Sequence, residues 1–121
     1  DYVESREGSE EKYEIESIPN QFSTRKFIAM MDGLGLSSDI ARSKSGRSIR
    51  AGKGTMRGRK YRTPKSILLV VSKKDGLHKA ARNVPGIDVV TSKDLCAEDL
   101  APGGDLGRLT VWTKSAIEAL E

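Results

Sequence analysis

Ser66-Ile67-Leu68-Leu69-Val70-Val71-Ser72 decides the fold. Five apolar residues follow one another without a polar break. A strand with one wet face alternates apolar and polar residues. An unbroken run reads instead as a strand covered on both faces, as in a parallel sheet with helices above and below. Working outward, Ile87 to Thr91 (IDVVT) follows the Pro85-Gly86 turn and reads as a strand. Leu109 to Thr113 (LTVWT) follows the Pro102-Gly103-Gly104 break and reads as another. Tyr13 to Ile18 (YEIESI) alternates as a fourth, ended by Pro19.

Helical patterns lie between these strands. Ser23 or Thr24 is placed to cap a helix running to about Leu34, with Phe27, Ile28, Met31 and Leu34 at three- and four-residue spacing. Gly35 stops it. Residues 37–45 read as a short helical turn and 46–65 as loop. Residues 77–83 read as a short helix, 93–100 as one or two helical turns, and Lys114 to Glu121 as a terminal helix. Strands alternating with helices predict an α/β fold: three layers, α/β/α, Rossmann-like, around a mostly parallel sheet of about four strands.

The chain has 121 residues, enough for one domain that buries roughly two-thirds of its unfolded surface. Residues 1–12 (DYVESREGSEEK) are acidic and poor in aromatics, and read as a poorly ordered start. Residues 13–121 read as a single α/β domain carrying a basic loop over 46–65. No run reaches the roughly 18 apolar residues of a membrane span, and no signal-peptide pattern opens the chain. The single cysteine, Cys96, allows no internal disulfide, and a cytoplasmic setting is expected.

Charge is distributed in blocks. Residues 1–39 carry a net −5, residues 40–74 a net +12 with no acid at all, and residues 75–121 a net −3, within a chain total of +4. The centre of the basic block is RSIRAGKGTMRGRKYR (47–62). It holds Arg47, Arg50, Lys53, Arg57, Arg59, Lys60 and Arg62, with Lys65 just beyond Pro64 and glycines at 52, 54 and 58. Such a segment repels itself and needs a polyanion to settle against. Glycines let backbone N–H groups approach phosphates, and arginine forks match phosphate oxygens. The reading is an RNA-binding segment on a small α/β domain, with a solvated loop or a localisation signal as the bland alternative. Tyr61 is a candidate either to stack on a base or to anchor the loop. Lys79 and Arg82 share a helix face with Asn83 next to them, and either extend the basic surface or complement the helix dipole. Trp112 reads as core or a protein contact rather than a stacking platform.

Signals for catalysis do not assemble. GKGT (52–55) resembles part of a phosphate loop, but a glycine does not stand at the required upstream spacing, Gly54 follows Lys53, and no buried strand precedes the segment. His78 is the only histidine, so no histidine pair can hold zinc, and Cys96 has no cysteine partner. Glu98-Asp99 reads as a solvated pair or a helix cap. Ser66 and Ser72 lack a nucleophile-elbow pattern. No catalytic residue, metal ligand or cofactor is assigned. The competing functions are a nucleotide-dependent enzyme or regulator using the Gly-Lys loop, and a general nucleic-acid-binding regulator.

Three signatures occur in order: IRAGKGTMRGRKYR with PKSILLVV, then KAARNVPGIDVVT, then LAPGGDLGRLTVWTKSAIEAL. Together they closely resemble the C-terminal half of the large-subunit ribosomal protein four family, in its archaeal and eukaryotic branch. The resemblance is dense from Ser48 to Leu120 and weaker over residues 13–47. It implies a three-layer α/β/α domain without catalytic activity. The implied partners are large-subunit rRNA and neighbouring ribosomal proteins, with no membrane and no small-molecule substrate. The family's RAGKGxxRGRxY-like loop falls on Arg50, Lys53, Arg57, Arg59, Lys60 and Arg62, its AARN on Arg82 and Asn83, and its GR before the last strand on Gly107-Arg108. Those positions are the implied rRNA contacts. The family's N-terminal half, with its extension toward the exit tunnel, has no counterpart in these residues, and Cys96 stands where Asn is more usual.

Overall fold

The computed structural model describes residues 3–4 and 22–120. In chain order the elements are β1 (Val3–Glu4), α1 (Thr24–Gly33), α2 (Ser37–Ser45), β2 (Ser48–Ile49), β3 (Tyr61–Arg62) and β4 (Leu68–Val71). They continue with α3 (Gly76–Arg82), β5 (Asp88–Thr91), α4 (Ala97–Leu100), β6 (Thr110–Thr113) and α5 (Lys114–Glu118). Short 3-10 turns cover Lys53–Arg57 and Pro102–Gly104. The main sheet has the order β1-β6-β4-β5. Strand β4 pairs in parallel with β5 (Leu68 opposite Asp88) and with β6 (Leu68 opposite Thr110), and β1 pairs antiparallel with β6. The strand expected over 13–18 lies outside the described residues, as does the acidic start apart from Val3–Glu4.

The apolar run behaves as its sequence requires. Alternate residues of β4 and the residue before it face opposite ways. Ile67, Leu69 and Val71 join Val111, Phe27 and Met31 of α1, Ile40 of α2, and Leu77, Ala80 and Ala81 of α3 in one core. Leu68 and Val70 join Ala116 of α5 in a second core on the other face, with Val90, Leu95 and Trp112 packed against it. Both faces are covered, so the layers are α/β/α. Each fully buried aliphatic side chain contributes about 1.5–3 kcal/mol, and the run from Ile67 to Val71 supplies five of them. Trp112 belongs to this packing.

Local signals set the helix ends. The Ser23 hydroxyl accepts from Lys26 N at 3.3 Å, and Gly35 takes a positive φ of 74° just beyond α1. Asp75 caps α3 by accepting from Leu77 N and His78 N at 3.1 and 3.3 Å. Two expectations change. Residues 37–45 form a full nine-residue helix rather than a short turn. Segment 46–65 is not simply loop, because β2 and β3 pair antiparallel within it, Ser48 opposite Arg62 and Ile49 opposite Tyr61.

Candidate nucleic-acid interface

The basic segment is a ribbon with a rigid root. The root is tied to the domain by polar contacts. Arg42 pairs with Asp39 at 2.8 Å, and its Nη2 also donates to Lys65 O at 3.0 Å. Ser66 Oγ donates to Asp39 Oδ2 at 2.6 Å. The Ser43 hydroxyl reaches both Pro64 O at 2.8 Å and Pro85 O at 3.3 Å. Gly86 lies directly beneath it, so close that a Cβ there would sit 1.8 Å from Ser43 Oγ. Only glycine fits, and its φ of 82° also favours glycine. Thus α2, the ribbon's exit and the Pro85-Gly86 turn meet at one buried serine.

Beyond the root the chain runs out as β2 and returns as β3. The next pair in register is Arg50 with Lys60, Arg50 N donating to Lys60 O at 2.8 Å. The tip is closed by backbone and side-chain donors onto its own carbonyls. Arg59 N donates to Gly54 O at 3.0 Å, Thr55 Oγ1 to Arg50 O at 2.7 Å, and Arg50 Nε to Arg59 O at 3.1 Å. Gly58 ends the 3-10 turn in the left-handed region with φ 78°. Strand alternation divides the ribbon into two faces. Ser48, Arg50, Lys60 and Arg62 share one; Ile49 and Tyr61 share the other. The Arg47 guanidinium lies 4.2 Å from the Tyr61 ring centre and Lys60 Nζ 5.6 Å from it. Tyr61 is therefore no core anchor. It stays 47% exposed, beside cations.

The electrostatics of this ribbon are one-sided. Arg47, Arg50, Lys53, Arg57, Arg59, Lys60 and Arg62 are all exposed. None of them forms an ion pair with a described carboxylate. Cations facing each other across a strand pair destabilise it, so the ribbon holds repulsion that an anion would relieve. Sequence reasoning overlooked Ile49 and Met56, which stand 65% and 81% exposed on the ribbon. Their signal was present: apolar residues inside an otherwise cationic run.

Lys65 and Arg108 have a different setting. Arg108 is buried, its side chain 5% exposed, and it donates to Asp88 Oδ2 at 2.6 Å, Ser66 O at 2.9 Å and Asp99 O at 2.8 Å. Lys65 Nζ meets the same Asp88 oxygen at 2.8 Å. Burial alone would raise the Asp88 carboxyl, but the hydrogen bonds from Lys65 and Arg108 outweigh it and hold the group below its ordinary value. Asp39 is likewise lowered, with burial opposed by Arg42 and Ser66. Arg108 thus has its donors committed within the domain, joining β5, the segment before β4 and the segment before β6.

Arg82 and Asn83 lie at the end of α3. With Thr24 and Lys79 they line an open cleft of about 420 Å³. Thr24 and Asn83 also line a second cleft, of about 290 Å³, walled by Ile28, Ala41, Val84 and Pro85 and edged by Lys44. Near the start of α3, burial and then the charges of Lys74 and Arg82 hold His78 below its ordinary pKa, with Asp75 opposing them.

Among the described residues, the chemistry that the other candidates would need is not assembled. GKGT lies at the ribbon tip between two-residue antiparallel strands, so it neither follows a buried strand nor opens an α-helix. Asp99 accepts from Cys96 N and Cys96 Sγ at 3.2 and 3.1 Å, as the third residue of a capping box whose N-cap is Cys96.

Residues 3–121 match the model of the ribosomal protein L4/L1 family. The chain belongs to that family. It is 56% identical over 98 residues to a large ribosomal subunit protein uL4 of Methanocaldococcus jannaschii, covering 81% of this chain and 39% of the relative. The uL4 protein of Halobacterium salinarum is 52% identical over 95 residues (78% of this chain, 38% of the relative). That of Methanothrix thermoacetophila is 49% identical over 108 residues (89% and 42%). The chain spans about two-fifths of the length of these curated relatives, which agrees with the family read from the motifs.

Proposed function

We propose that this chain is a structural, non-catalytic constituent of the large ribosomal subunit, seated on rRNA through the ribbon of residues 47–62. The observation that carries the proposal is the set of exposed ribbon cations without a described carboxylate partner, mounted on a root that fixes their direction. Family membership supports the ribosomal setting. The relatives' name supports the large subunit, and a cytoplasmic ribosome with neighbouring ribosomal proteins belongs to the same reading.

The α/β/α layers act as the platform. Ribbon arginines and lysines meet phosphates and 2′-hydroxyls, so recognition is of shape more than of base sequence. Release of counterions drives the association. Neutralising about five phosphates gives a slope of log K against log salt of roughly −4. Side-chain ordering opposes binding, and relief of the cross-strand repulsion offsets part of it.

The test is equilibrium binding to a large-subunit rRNA fragment at two salt concentrations, with an unrelated structured RNA and a duplex DNA as competitors. Preference for the rRNA fragment, weakening steeply with salt, is expected. Equal binding to all three would reduce the ribbon to a general polyanion patch and overturn the proposal.

A further inference from the structure

We propose that the cleft between α1, α2 and Val84-Pro85 receives one unstacked base of the RNA that lies on the ribbon. The inference rests on the rRNA reading above and adds a second, base-holding contact to it. The cleft's walls are apolar, formed by Ile28 of α1, Ala41 of α2, Val84 and Pro85. Its edges are cationic: Lys44 borders it, and Lys79 and Arg82 line the adjoining cleft beyond Thr24 and Asn83. Among the described residues no carboxylate lines either space. An apolar slot edged by cations and free of acids fits a group with two apolar faces and a negative charge on each side. A nucleotide within a strand is such a group.

Two further observations favour RNA. Asn83 borders both clefts, is exposed, and makes no side-chain hydrogen bond to another described residue. Its amide therefore has two donors and an acceptor for a base edge. The slot is also fixed to the ribbon. Ser43 holds Pro64, where the ribbon ends, and Pro85, which walls the slot, through one hydroxyl. Lys44, the next residue of α2, continues the basic surface from Arg47 to the slot's edge. A strand following the ribbon reaches the slot on a surface of one sign.

The experiment uses the chain with the rRNA fragment that it binds, and reads base accessibility by dimethyl sulfate and carbodiimide probing. Ala41 is exposed on α2, so Ala41→Phe fills the slot from a tolerant position. It should weaken binding by up to about tenfold, near the low end of the scale for a base stacked on an aromatic ring since aliphatic walls line this slot, with the salt slope unchanged. It should also abolish the protection of a single base. Asn83→Ala should keep that protection but lessen discrimination when the base is changed. Circular dichroism checks folding, and Ile28→Ser repeats the test if Ala41→Phe fails to fold. Wild-type affinity and base protection in folded Ala41→Phe, or in Ile28→Ser where it takes its place, would overturn the inference. So would normal RNA binding with loss of a protein neighbour during subunit assembly, which would assign the slot to a protein. Failure of the rRNA reading itself is seen separately, as absence of rRNA preference in the unsubstituted chain.

Discussion

The ribbon and its root contain the same kinds of cation in opposite circumstances. At the root, Arg108 is buried against Asp88, with Lys65 on the same carboxylate and Arg42 on Asp39. On the ribbon, seven cations stand exposed with no described carboxylate beside them. The difference is the placement of two acids, and it separates holding the domain together from holding something else. A buried guanidinium with three internal acceptors works as a staple. An exposed one beside no acid is a surface waiting for an anion.

The contrast is most easily broken at Arg108. Arg108→Ala would leave Ser66 O and Asp99 O without this donor and Asp88 with Lys65 alone. Losing one partner of a fully buried pair costs about 3–5 kcal/mol, an upper bound here because the Asp88 side chain is 33% exposed. Urea denaturation should show a loss of about 2 kcal/mol, below that bound, since the Asp88 carboxylate is partly solvated and keeps Lys65. The salt slope of RNA binding by the folded fraction should be unchanged. An intact melt with a flattened slope would move Arg108 to the RNA surface and erase the distinction.

The second prediction sharpens the ribbon's side. Arg57→Glu with Arg59→Glu should shift folding stability by no more than about 0.5 kcal/mol, as expected for exposed sites. On the proposed reading, in which each arginine neutralises one phosphate, the same pair should reduce the magnitude of the salt slope by about two. A large drop in thermal midpoint would make these residues scaffold instead.

What the sequence made legible follows from where the physics is local. The run Ile67 to Val71 announced a doubly covered strand because each residue's burial depends only on lying in that strand. Phe27 and Met31 announced α1 by spacing. The α2 helix was under-read because only Ile40 and Ser43 are buried on it, leaving a periodic signal too thin to see. The ribbon was read as loop because arginine and glycine hide the one cross-strand pair with strand character, Ile49 opposite Tyr61. The basic surface was visible in the charge pattern, whereas the commitment of Arg108 was not. Its partner Asp88 stands twenty residues earlier, and only the parallel pairing of β4 with both β5 and β6 brings the two within reach. The slot beside Asn83 is likewise made by three separate segments.

pH gives a third probe. The Asp88 carboxyl is held below its ordinary 3.8, so the unfolded chain binds its proton more readily than the folded one. Its contribution is therefore present above that value and is lost as pH falls from about 3.8 through the lower folded value. Asp39 has the same sign. Asp88→Asn should lower stability at neutral pH and make the decline below pH ~4 shallower, as followed by urea midpoints at successive pH values. An unchanged acid limb would mean that the root's stability comes from packing and not from this carboxylate.

The smallest expected effect lies at Tyr61, where the ribbon's own stability is in question. Arg47 sits over its ring at 4.2 Å, and an exposed cation–π contact contributes about 0.5–1 kcal/mol. Tyr61→Ala removes that contact and half of the one cross-strand apolar pair, yet touches neither core. The global melt should hardly move, whereas amide exchange at Arg50, whose N–H donates to Lys60 O, should quicken severalfold. Tyr61→Phe should restore protection, because the ring and not the hydroxyl makes the contact. If exchange at Arg50 is as slow in Tyr61→Ala as in the parent, the ribbon is held by its root and tip alone. Tyr61 would then be free to face a base.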